Sequence, residues 1–143
     1  MSRVDFYVLS QAQPDARLRQ ACQLAEHAAA QARQVYVQTQ SAADARRLDE
    51  LLWTFRDGSF LPHEIYAGTA PAHARVLVLL GEMPAPRSHR QLLINLRDAL
   101  PEDLEDYEQI AEIVAVDPEH KRLARERYKQ YRERGCSLES HNL

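Results

Sequence analysis

A chain of 143 residues, 45% hydrophobic and 27% charged, is sized for one domain with a core of its own. Two cysteines, Cys22 and Cys136, are too few for a disulfide framework or a four-thiolate metal site, and no stretch approaches the roughly 20 apolar residues of a membrane span. The expectation is a cytoplasmic domain with reduced thiols. Its net charge of −3 is unevenly placed, with seven bases against three acids between Glu119 and Arg134.

The run VDFYVL at 4–9 is short and apolar on both faces apart from Asp5, which predicts a buried strand. Pro14-Asp15 opens a helical pattern in which Leu18, Cys22, Ala25, Ala29 and Ala32 share one face. QVYVQT at 34–39 predicts a second strand, and Ser41 is placed to cap the next helix, whose apolar face is Ala45, Leu48, Leu51, Leu52 and Phe55. Residues 56–75, with Gly58, Pro62, Gly68 and Pro71, read as turns. ARVLVLLG at 74–81, QLLINL at 91–96 and QIAEIVAV at 109–116 predict three more strands. A basic helix follows over about 118–134, with Gly135 where a helix C-terminus expects it and an irregular tail over 136–143. Strands alternating with helices predict a single Rossmann-like α/β domain over 1–143, a largely parallel sheet flanked by helices.

The first strand-to-helix turn, LSQAQPDA, holds no glycine, and no GxxxxGK[ST] occurs, so no nucleotide-binding glycine loop is expected. The histidines His27, His63, His73, His89, His120 and His141 show no metal-ligand spacing and read as isolated surface or loop residues. Neither cysteine carries the signature of a nucleophile, and Ser59 and Ser88 lack an elbow motif. No catalytic residue, metal, cofactor or small-molecule substrate is expected.

Two features remain. On a helical wheel Lys121, Arg125, Lys129 and Arg132 share an arc of roughly 100° with Tyr128 at its rim, whereas Arg127 falls in the packed sector and must snorkel or pair. Such a stripe is either a solvated face or a site for an anion with apolar content. Nucleic acid and an acidic peptide ending in an aromatic residue are the two candidates, and the chain's overall acidity favours the peptide. The second feature is LLWTFRDGSFLPH at 51–63: Phe55 continues the core face, but Trp53 lies 200° away round the helix. Either Phe60 folds back over Trp53, or both stay exposed as a binding hot spot.

VDFYVL, LDELLWTFRDGSFLPHE and LARERYKQYRERG, in this order and spacing, resemble the chi subunit family of bacterial DNA polymerase III. The resemblance implies a non-catalytic accessory subunit in DNA replication, bridging the clamp loader, through its psi subunit, to the acidic C-terminal tail of single-stranded DNA-binding protein. It implies an indirect contact with DNA and a nucleotide-fold domain without a nucleotide. The family's tail site corresponds to Lys121, Arg125, Tyr128 and Lys129, with Arg132 added from the wheel. Its psi-facing surface corresponds to Trp53, Phe60 and Pro62, with His63 a neighbour of unassigned role. A direct nucleic-acid-binding module using the basic helix is the alternative.

Overall fold

The computed structural model describes residues 2–55, 61–69 and 76–143. Strands β1 (Arg3–Val8), β2 (Val35–Gln38), β3 (His63–Ile65), β4 (Val78–Gly81), β5 (Leu92–Asn95), β6 (Gln109–Val114) and β7 (Ser137–Asn142) form one sheet in the order β3-β4-β2-β5-β6-β1-β7. Every pairing is parallel. Parallel neighbours need crossovers, and helices α1 (Ala16–Ala30), α2 (Ala42–Thr54) and α3 (Pro118–Glu133) supply three of them.

Alternating side chains divide the core. Val35, Val37, Leu80, Ile94 and Ile113 lie under α1 and α2 on one face. Tyr36, Leu79, Leu93 and Ile110 lie under α3 and a 3₁₀ turn, Leu104–Asp106, on the other. The buried side of α1 is Ala21, Cys22, Ala25 and Ala28, small residues that let the helix sit close to the strands. Burial there pushes the Cys22 thiol up to about 12, which keeps it an unreactive core residue. Ala32, expected on that face, lies past the end of α1 in left-handed backbone at φ 60°.

The caps match their sequence signals. Ser41 Oγ accepts from the Asp44 N–H at 3.1 Å, and Asp117 accepts from the His120 N–H at 2.9 Å ahead of Pro118. Gly135 takes the positive φ, 82°, that ends α3.

Three expectations need correction. The tail expected to be irregular forms β7, pairing in parallel with β1 along its whole length. Its polar sequence hides the reason, which lies in β1: Asp5 is fully buried and accepts from His141 Nε2 at 2.9 Å, while Arg3 bonds both Asp5 and Glu139. The turn region holds the short strand β3, placed by its pairing with β4. Two histidines read as surface or loop residues, His63 and His89, are buried and bonded to backbone carbonyls; His73 lies outside the described residues.

The roll of α3 is set from below. Glu112, in the middle of β6, has no exposed surface, and it accepts from Arg127 Nε at 3.2 Å, Asn95 Nδ2 at 2.8 Å and Tyr131 Oη at 2.6 Å. Burial pushes its carboxyl up, against the pull of Arg127 and these hydrogen bonds. Arg127 also reaches the Asp98 carbonyl at 3.2 Å, so the cation in the packed sector is paired as expected.

Removing one partner of a buried ion pair strands the other. Arg127→Met is expected to cost about 3–5 kcal/mol in chemical denaturation, and Arg127→Met combined with Glu112→Gln markedly less. Asp5 gives a pH-dependent counterpart. Burial alone would raise its carboxyl, but bonds from His141, Gln109 and Arg3 hold it below the usual carboxylate range. Its stabilisation is therefore present above that range and lost as pH falls through the folded value. Asp5→Asn is expected to cost about 2 kcal/mol at pH 7, a deficit that narrows as denaturation is followed into acid below the usual carboxylate range.

Candidate functional site

With Arg127 turned into the sheet, the residues about 150° round the helix from it must face outward. These are the predicted stripe: Arg125, Lys129 and Arg132 are exposed, and Lys121 and Tyr128 half-buried. Of the helix's three carboxylates, Glu119 and Glu126 are both taken by Arg122, on another side of α3, and the third, Glu133, lies in its last turn. Among the described residues no carboxylate pairs with Lys121, Arg125, Lys129 or Arg132. The stripe's charge is left uncompensated.

Beside it lies a groove of about 220 Å³, lined by Phe6, Val8, Val114, Tyr128, Ser140 and the stems of Lys121 and Arg125. That volume suits one side chain rather than a whole small ligand. Phe6 forms the floor, 5.2 Å between ring centroids from Tyr128 and 6.0 Å from Tyr131. The groove is an apolar hole edged by cations. Sequence reasoning found its cationic side and missed Phe6, Val8, Val114 and Ser140, because β1 looked simply buried and β7 was not recognised.

The second predicted surface is placed in part. Trp53, in the last turn of α2, is 50% exposed, and Pro62 is exposed; Phe60 lies outside the described residues. Phe55 packs against the core, as its periodicity indicated. His63, without an assigned role in the sequence, has one: its buried ring lies 4.4 Å from the Trp53 ring. Its Nδ1 meets the Leu61 carbonyl at 2.6 Å, and its Nε2 lies 3.2 Å from the Asp49 carbonyl. It ties the end of α2 to β3 and backs the indole. Ile65, on the same side of β3 as His63, adds 39% exposed apolar surface that no sequence signal marked.

A third cluster brings Asp5, Glu139 and His141 within 4.8 Å of one another. The Arg3 guanidinium, 3.1 Å from both carboxylates, already neutralises it, and its visible work is to hold β7 on β1.

An α/β domain with a wholly parallel sheet among its described residues, flanked by helices, belongs to the Rossmann-like class. Comparison with known proteins narrows this. A model of the family "DNA polymerase III chi subunit, HolC" matches residues 1–139. Curated relatives named DNA polymerase III subunit chi come from Pseudomonas aeruginosa, 42% identical over 143 residues (100% of this chain, 98% of the relative), and Haemophilus influenzae, 34% identical over 125 residues (86% and 85%). A third, from Escherichia coli, is 31% identical over 117 residues, 82% of this chain and 79% of the relative. The chain belongs to the chi subunit family of DNA polymerase III, and is thereby an accessory subunit in DNA replication. The crystal structure of T4 UvsW shares the fold, with a TM-score of 0.69 at 7% identity, covering 99% of this chain and 41% of that one.

Trp53 is the chain's one tryptophan, so its emission reports on the His63 contact. His63→Ala is expected to shift that emission to the red and raise its quenching by acrylamide, with helix content by circular dichroism unchanged.

Proposed function

We propose that this chain links the clamp loader to single-stranded DNA-binding protein by holding a different partner at each edge of its sheet. The uncompensated stripe Lys121, Arg125, Lys129 and Arg132 beside the Phe6 groove carries the reading. A peptide whose carboxylates lead to a terminal phenylalanine meets both halves of this surface: charge along the helix, the ring in the groove. The acidic C-terminal tail of single-stranded DNA-binding protein has that chemistry, and the contact with DNA is then indirect. Psi, the clamp-loader partner, takes the surface of Trp53 and Pro62, which Phe60 adjoins in sequence.

Placement supports two partners at once. The tail surface lies at the β7 edge on the α3 face, and Trp53 lies by the β3 edge on the α2 face. Six strand spacings separate those edges, roughly 29 Å. Neither partner then obstructs the other, and weak contacts suffice where several tails and one polymerase assembly share a DNA.

The test is calorimetric. Arg125→Ala and Lys129→Ala are each expected to weaken an acidic, phenylalanine-ended peptide by about tenfold or more. Trp53→Ala should leave that affinity unchanged and release psi. Raising salt should weaken the peptide far more than psi. Unchanged peptide affinity in both stripe variants would sink the assignment. Tight binding of a naked oligonucleotide in place of the peptide would replace it with direct nucleic-acid binding.

A further inference from the structure

Beside the cationic stripe, the sheet stops at β7, and the way it stops is informative. Ser137 N–H donates to the Ser2 carbonyl and Leu143 N–H to the Val8 carbonyl, so the odd-numbered residues of β7 turn their main-chain groups to β1. The alternation of a parallel ladder leaves the N–H and C=O groups of Leu138, Ser140 and Asn142 pointing outward. Among the described residues no strand pairs with them.

Edge strands are normally blunted by proline, lysine, a bulge or a covering element. Ser137–Asn142 contains no proline and no lysine, and pairs with β1 in unbroken register. Its one carboxylate, Glu139, is drawn aside by Arg3. The edge is therefore both open and straight, and Ser140 at its middle also lines the apolar groove.

We infer that the acidic peptide adds to the sheet as an eighth strand, pairing its backbone with Leu138, Ser140 and Asn142 in the trough between β7 and α3. This rests on the reading that α3 takes an acidic, phenylalanine-ended peptide, and it supplies the main-chain half of that recognition. The direction follows from the geometry. The groove lies toward the Lys121 end of α3, level with Phe6 and Val8, whose partners in β7 are Ser140 and Asn142. A phenylalanine seated there places the preceding carboxylates toward Lys129 and Arg132, beside the start of β7. The peptide then runs parallel to β7, like every other strand of the sheet. Lengths agree: Lys121 to Lys129 is about 12 Å of helix, the reach of about four extended residues. Strand addition lets the main chain provide affinity while the stripe and groove provide selectivity.

Two measurements on the full chain test this, using the synthetic hexapeptide Asp-Asp-Asp-Asp-Leu-Phe and copies N-methylated at one backbone nitrogen each. Strand addition predicts an alternating pattern: methylation at inward-facing nitrogens weakens binding about fivefold to tenfold, and at outward-facing ones less than twofold. Amide hydrogen exchange should slow on peptide addition at Leu138, Ser140 and Asn142, against little change at Glu139 and His141. A flat methylation profile with unchanged exchange, while Arg125→Ala still weakens binding about tenfold, overturns strand addition and leaves the partner assignment standing. Failure of the unmodified peptide to bind removes both.

Discussion

The buried ion pair between Glu112 and Arg127 sets which way α3 faces. A helix with cations on most of its circumference could sit on a sheet in several rotations, each exposing a different set of charges. Here β6 presents one fully buried carboxylate, and only one arginine of α3 reaches it without leaving Tyr131 and Ala124 out of the core. Once that contact forms, Tyr131 and Asn95 complete the carboxylate's hydrogen bonds, and any other rotation strands a charge in a dry interior. The exposed stripe is what remains on the opposite side of the helix. A residue with no partner outside the molecule thus decides which residues can have one.

The two exposed patches are built by unlike physics. On α3 the surface is electrostatic: Arg122 draws off Glu119 and Glu126, and among the described residues no carboxylate pairs with the four cations of the stripe. At the end of α2 it is apolar, an indole backed by an imidazole whose Nδ1 meets the Leu61 carbonyl. Salt acts on the first and leaves the second nearly untouched. The sheet between them holds the two patches on opposite edges.

Much of the fold was legible in the sequence because its signals are local. The VDFYVL and QLLINL runs, the cap at Ser41, the break at Gly135 and the wheel of α3 each need only neighbours in sequence. What was hidden depends on distant residues. β7 reads as a polar tail, since the groups that hold it, Asp5 and Arg3, belong to β1. Strand β3 is three residues long and exists through its pairing with β4. His63 and His89 carry no mark of burial because carbonyls, invisible in a list of side chains, satisfy them. The groove divides in the same way. Lys121, Arg125 and Tyr128 share a helix and show as a pattern, whereas Phe6 and Ser140 join them only after the chain has folded. The family resemblance supplied what periodicity could not, a reason to read Trp53 as surface.

The place of β1 has a consequence for how the molecule comes together. It lies between β6 and β7, with Arg3 opposite Gln109 on one side and Ser137 on the other. The earliest strand in chain order must wait for β6 before one flank is covered and for β7 before the other, and such long-range pairing makes folding slow. Phe6, the floor of the groove, is exposed to misassociation for that whole interval. The groove beside α3 is thus among the last features to be completed, so a chain in which it is formed has, by that fact, finished folding.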